Sequence, residues 1–264
     1  MKNKFKLGAD PEVFLLRNGI PISAIDVIQG TKHDPFKIST FGHSVQVDNV
    51  LLEFNVPPSD NPEDMFKNIS FIMEWFKNNL PKDMTTEISS SRIFDDMELL
   101  DPKALEFGCD PDFSAWREEM NVAPSSKTNL RSAGGHIHIS YENSSMDRSV
   151  DLIKACDLFL GVPSILMDYD KQRRLLYGKA GAFRFKTYPN GDFGAEYRTL
   201  SNFWIADLEL VKFIYAQMDK AITFINEHPN VLNINTQLGQ DIINCIDNGD
   251  EELAQKLCNE NNIL

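Results

Sequence analysis

The stretch Ser132-Ala133-Gly134-Gly135-His136-Ile137-His138-Ile139-Ser140 constrains the fold more than any other. Successive side chains of an extended chain point to opposite faces. The alternation therefore puts His136, His138 and Ser140 on one face of a strand and Ile137 and Ile139 on the other. The two glycines ahead of it allow close approach of a backbone or a ligand. A single histidine in a sheet is ordinarily a packed, hydrogen-bonded side chain. Two at strand spacing after Gly-Gly favour a ligand or proton-carrying role.

Other strand-like segments also carry polar groups on one face. Asp10 and Glu12 flank Pro11, and two carboxylates on one face repel unless a cation lies between them. The same residues are ordinary turn chemistry, and both readings stand. Glu53 interrupts the apolar run Val50 to Val56, where an unpaired carboxylate costs several kcal/mol and calls for a metal or a basic partner. Gln46 and Asp48 alternate with valines just before it, which also fits an edge strand with one wet face. Glu196 and Arg198 share a face, either as a salt bridge or as a cation ligand beside a phosphate-binding guanidinium. Arg173, Arg174, Lys179 and Arg184 cluster in a glycine-containing stretch that suits an anion or a solvated loop. Carboxylates and imidazoles on several strands, with arginines close by, form an inventory for polyphosphate held through divalent metal.

Strands in pairs with helices inserted late predict an α+β fold with a mainly antiparallel sheet. Asn18-Gly19 predicts a two-residue hairpin turn between strands over 12–16 and 20–24. Strands are further expected over 44–56, 131–141, 182–186 and 195–200. Asn61-Pro62-Glu63-Asp64 reads as the start of a helix reaching about Asn79. Further helices are expected over 147–160 and 207–226, with two short ones from 238 to 260 broken at Asn248-Gly249. The 264 residues suggest a single domain with a helical part from about 206. There is no GxGxxG and no P-loop. A net charge of −13 argues against nucleic acid as the main partner. No apolar run approaches a bilayer span, and Cys109, Cys156, Cys245 and Cys258 lack metal or disulfide spacing, which suits the cytoplasm.

The order of these motifs resembles the carboxylate–amine ligase superfamily that includes glutamine synthetase and glutamate–cysteine ligase. It is most similar to the phage-type COOH–NH2 ligase type 2 family. The resemblance rests on Gly8-x-Asp10-x-Glu12, Leu52-Glu53-Phe54-Asn55, Gly134-Gly135-His136-x-His138-x-Ser140 and Glu196-Tyr197-Arg198. Phe107 to Phe113 and Tyr177 to Gly181 match the phage branch. The resemblance implies a curved antiparallel sheet with helices on its convex face. It implies an ATP-dependent amidoligase, acting through an acyl phosphate, with two or three Mg²⁺ ions. Asp10, Glu12, Glu53, His136 and Glu196 would be metal ligands. His138 and Ser140 would lie near the nucleotide. Arg184 and Arg198 would hold the transferring phosphate beside Glu196, with Arg174 and Lys179 as further candidates. Asp110, Asp112 and Trp116 are candidates for a substrate pocket. The partners would be a carboxylate and an amine, in peptides, proteins or cell-wall fragments, with no nucleic acid and no membrane. The oligomer and the part played by Asp48 or Gln46 stay open. The same residues would serve a metal-dependent hydrolase, or survive in a non-catalytic phage assembly protein.

Overall fold

The strands Phe5–Ala9 (β1) and Glu12–Arg17 (β2) run on from one another through Asp10-Pro11. Both pair with Leu51–Ser59 (β6), the fourth strand after β2 in the chain. Ala9 stands opposite Val56 and Glu12 opposite Glu53, so the register keeps step across the proline. Pro11 has no N–H to give, but its carbonyl accepts from Phe54 N at 3.1 Å. The computed structural model describes residues 3–105, 112–121, 128–188, 193–229 and 231–264.

Between β2 and β6 come Ile20–Ile22 (β3), Phe36–Lys37 (β4) and Ser44–Asp48 (β5). The remaining strands are Met84–Glu87 (β7), Ser91–Ile93 (β8), Phe113–Ser114 (β9), Glu119–Met120 (β10), Leu130–Ser132 (β11), Ile137–Tyr141 (β12), Ala182–Thr187 (β13) and Phe193–Tyr197 (β14). Twelve of them form one sheet, whose main path runs β10-β9-β13-β14-β12-β1-β6-β2-β3. Every pair of named strands is antiparallel. The chain is thus mixed α and β with a large antiparallel sheet.

Asn18 and Gly19 both take positive φ, 52° and 81°, as a tight hairpin between β2 and β3 requires. Two expected strands divide. The segment 44–56 is two strands, β5 and β6, turning at Asn49 with φ +54°. The segment 131–141 breaks after Ser132, because β11 pairs with β8 in a separate small sheet. The residues between β11 and β12 bond outside the main ladder instead. Gly135 N donates to the Leu200 carbonyl and Trp204 Nε1 donates to the Gly135 carbonyl.

The helices are Pro62–Asn79 (α1), Pro102–Leu105 (α2), Met146–Cys156 (α3), Val162–Met167 (α4), Leu208–Glu227 (α5), Gln237–Asn248 (α6) and Glu251–Glu260 (α7). In α1 the Asn61 side chain accepts from Asp64 N at 2.8 Å, and Met65, Ile69, Ile72 and Phe76 are buried. It stops at Leu80, which is extended as a residue before proline must be. The helix expected to end near Leu160 instead widens into a π turn over Asp157–Gly161 and continues as α4. Pro163 cannot donate to a carbonyl one turn back, and its ring crowds that carbonyl, so the extra residue relieves the ladder. Gly249 closes α6 with φ +64°, and Asp250 caps α7.

α1 lies on β6 and α3 on β13 and β14, while α5 packs against both helices. Ile137, Ile139, Ala195, Tyr197, Phe183, Leu7 and Ala9 join the buried apolar cluster with them. The polar residues that alternate with these sit on the other face. Among the described residues no helix is long and apolar enough to cross a membrane. Cys156, Cys245 and Cys258 are free and buried, and Cys109 lies outside the described residues.

Candidate metal and phosphate site

Residues opposite one another in a ladder share a face. Gly8 pairs with His138, His138 with Glu196, and Glu196 with Arg184. That row crosses four adjacent strands. One step along stand Asp10, His136 and Arg198, and beyond them Glu12, paired with Glu53, itself paired with Gln46. The register thus gathers Asp10, Glu12, Glu53, His136, His138, Arg184, Glu196 and Arg198 onto one face of the sheet.

The glycines let this happen. A Cβ on Gly134 would come 2.9 Å from His136 Cε1, and one on Gly135 would come 2.6 Å from Trp204 Nε1. Gly134 therefore yields its side-chain space to the imidazole, and Gly135 yields its own to the backbone and indole behind.

Asp10, His136 and Glu196 each offer a ligand atom, all within 4.8 Å of one another. His136 Nδ1 is 3.3 Å from Asp10 Oδ1 and 3.8 Å from Glu196 Oε1. His138 Nε2 is 3.1 Å from Asp10 Oδ2. Asp10 Oδ1 is buried and takes no well-aligned hydrogen bond. Cations crowd the other carboxylate. Lys186 Nζ is 2.6 Å from Glu196 Oε2, Arg184 Nη1 is 3.5 Å from Oε1, and Arg198 Nη1 pairs closely with Oε1. Arg198 also donates from Nε to Asp112 at 3.3 Å.

The electrostatics divide the acids in two. Burial would raise Asp10, but His138 and His136 outweigh it and hold the carboxyl well below its usual range. Burial and Asp10 would likewise raise Glu196, yet Arg198, His136 and His138 bring it to about 2. Burial, with Arg198, pushes His136 down to about 4, which leaves a neutral imidazole with a lone pair to give. Burial opposes charge on His138, but Asp10 wins and its pKa rises. In the second group burial and like charge outweigh such partners. Burial and Asp48 raise Glu12 to about 7, and burial with Asp10, Asp48 and Glu12 raises Glu53 well above normal. Burial raises Asp48 against the pull of Lys32 and Arg198. Crowded carboxylates of this kind ionise together only when a multivalent cation joins them. Two ionised carboxylates and a neutral imidazole, backed by further acids, fit a divalent metal that accepts oxygen and nitrogen.

Gln46 donates to Glu53 Oε2 at 2.7 Å, and so steadies a carboxylate rather than adding one. Asp48 and Glu12 line a cavity of about 40 Å³ together with Arg131, His136, Arg173 and Arg198. Three expected residues, Arg174, Lys179 and Ser140, are not brought to the cluster. Arg174 donates to the Gly178 carbonyl and to Ser164 Oγ, and Lys179 donates to the Asp247 carbonyl. Ser140 lies two residues past His138 and lines a different groove with Lys6 and Tyr215. Trp116 donates to the buried Asp157 at 2.6 Å, a structural contact behind the sheet, while Asp110 falls outside the described residues.

Sequence reasoning missed Lys186, and it placed Arg173 in the basic stretch without singling it out from its neighbours. Lys186 follows Arg184 at strand spacing, so alternation marks it. Arg173 is buried and donates to the carbonyls of Ala133, Thr199 and Arg198, and nothing in the sequence separates it from Arg174 next door.

No curated protein matches the chain. Among solved structures it is similar to a bifunctional glutathione synthetase from Pasteurella multocida, at 12% identity and a TM-score of 0.47. The similarity covers 97% of this chain and 49% of that one, so the chain spans about half that protein's length. A family model described as phage phiEco32-like COOH.NH2 ligase-type 2 matches residues 115–262. The match takes in His136, His138, Arg184, Glu196 and Arg198, while Asp10, Glu12 and Glu53 precede it. It covers more than half of the sequence, and the chain belongs to the phage phiEco32-like COOH.NH2 ligase-type 2 family.

Proposed function

We propose that the protein is an ATP-dependent amidoligase that joins a carboxylate to an amine through an acyl phosphate. The observation that carries this reading is the single sheet face on which acids, imidazoles and guanidinium groups meet in register. A carboxylate oxygen of the substrate takes the γ-phosphoryl group and ADP leaves. The amine nitrogen then bonds to the acyl carbon, orthophosphate leaves, and the nitrogen gives up a proton.

Asp10, His136 and Glu196 would hold one divalent ion, and Glu12 and Glu53, with Asp48 at hand, would hold one or two more. Bound Mg²⁺ supplies charge neutralisation on the phosphate oxygens. Arg184 and Arg198 stand beside Glu196, where they stabilise charge on the phosphoryl group as it moves. His138, fixed on Asp10, lies at the nucleotide side of the cluster, and Ser140 continues that face of the strand. We further propose that the motif order marks kinship with glutamine synthetase and glutamate–cysteine ligase, on a curved sheet with its helices on the convex side. In this reading 1–264 is one catalytic domain, working in the cytoplasm of an infected cell. Its substrates are a carboxylate and an amine borne on peptides, proteins or cell-wall fragments.

Thermal unfolding with a non-hydrolysable ATP analogue, with and without Mg²⁺, tests the site. A ligand at 100 times its dissociation constant adds about 2.7 kcal/mol of stability. The expected result is a Mg²⁺-dependent rise in Tm for wild type that Glu196→Gln loses. No rise at millimolar analogue in folded protein overturns the reading. Mass analysis of products then separates amide formation from simple hydrolysis.

A further inference from the structure

Glu196 is fully buried, and three cationic side chains converge on it. Two are guanidinium groups in the dense part of the cluster. Arg198 is fixed from other sides by Asp112 and His136. The third, Lys186, differs in kind. Its partner across the ladder is Gly194, which has no side chain to meet it. Its ammonium reaches two residues along the neighbouring strand and sits 2.6 Å from Glu196 Oε2, while its side chain stays 32% exposed. A lysine is a point charge on a flexible four-carbon stem, so it can leave and re-form a contact that a planar, anchored guanidinium cannot.

Resting on the ligase reading above, we propose that Lys186 is a built-in counter-cation for the metal site. In the metal-free protein its ammonium neutralises the Glu196 carboxylate that a divalent ion would bind. Arrival of the ion displaces it, and the freed ammonium then binds the anion that the metal carries. Metal and polyphosphate binding are coupled through one side chain. The ammonium competes with the first and assists the second. A purely structural salt bridge has no such double role. Its loss would weaken or spare both ligands together.

The test uses the intact chain and Mn²⁺, whose tolerance of nitrogen ligands suits the His136 donor and whose free form is counted by electron paramagnetic resonance. Lys186→Met should bind Mn²⁺ alone roughly fivefold tighter, the equivalent of a partly exposed ion pair. The same variant should bind the non-hydrolysable ATP analogue with Mn²⁺ more weakly than wild type. Lys186→Arg, which keeps the charge, should restore nucleotide binding in part without tightening Mn²⁺. Circular dichroism checks that each variant is folded. Unchanged or weaker Mn²⁺ binding by folded Lys186→Met overturns the inference and leaves the ligase reading intact. A wild-type protein that takes up no Mn²⁺ overturns both.

Discussion

The imidazole of His136 occupies the room that a side chain on Gly134 would need. A Cβ built there would stand 2.9 Å from Cε1, well inside van der Waals contact. Gly134 also donates its N–H to Glu12 Oε2 at 2.6 Å, so this one residue positions a proposed ligand on each side of the site. Gly134→Ala should swing the ring away from Asp10 and cost about 1–3 kcal/mol of stability, as overpacking does. Mn²⁺ binding should fall by at least about tenfold, one step of 1.4 kcal/mol. Titration of the folded variant with Mn²⁺ checks this, and wild-type affinity would refute it.

Arg173 should matter to stability more than its neighbour's phosphate-binding look suggests. Its guanidinium satisfies the carbonyls of Ala133, Thr199 and Arg198, and burial with the nearby Arg174 pushes its pKa down to about 10. Arg173→Met leaves those buried oxygens without donors, at about 1–3 kcal/mol for a group left unsatisfied. Urea unfolding should show a loss of about 3 kcal/mol or more. A loss under about 1 kcal/mol would contradict this.

Lys179 and Arg198 should separate cleanly. Lys179 donates to a backbone carbonyl of α6, whereas Arg198 stands between Glu196, His136 and Asp112. Lys179→Met should keep metal-dependent nucleotide binding within about twofold and cost about 1 kcal/mol, the worth of one hydrogen bond. Arg198→Met should abolish the nucleotide-induced rise in Tm. Equal losses in the two variants would refute the assignment.

Asp157 should make stability fall as pH rises. It is wholly buried, and Trp116 Nε1, Tyr197 Oη and Thr199 Oγ1 lie at 2.6, 2.8 and 3.3 Å from its carboxyl. Burial raises its pKa to about 7 against those hydrogen bonds. The native chain therefore holds a proton that the unfolded chain has lost, and stability drops from about pH 4 up to about pH 7. Against Asp157→Asn, which cannot titrate, wild type should lose on the order of 4 kcal/mol over that range and then level off. A pH-independent difference between the two unfolding free energies would refute it.

Strand alternation made most of the site legible. His136 and His138 declare a shared face through the isoleucines between them, and Glu196 and Arg198 do so around Tyr197. What alternation cannot supply is the neighbour. That Glu196 stands between His138 and Arg184 follows from hydrogen-bond register, which the sequence of one strand does not contain. The same limit explains Arg173 and Arg174. In the short turn Gln172–Leu175 no period shows which guanidinium turns toward the sheet. β1 was invisible for a local reason, since Phe5-Lys6-Leu7-Gly8-Ala9 has neither a β-branched run nor a polar stripe. Asp157 sits within a helical pattern, and its partners come from segments far away along the chain.

The unbroken register through Asp10-Pro11 carries a consequence for biosynthesis. β1 is an interior strand, flanked by β6 and β12, yet it leaves the ribosome before either. One of its edges is closed when the hairpin of β5 and β6 emerges. The other stays open until β12 arrives, long afterwards in the chain. During that wait the nascent protein presents an unpaired strand to every other chain nearby, the usual template for misassembly. Closing that edge is the same event that brings His136 and His138 to Asp10. A nascent chain that has made itself safe has therefore also set His136 and His138 beside Asp10.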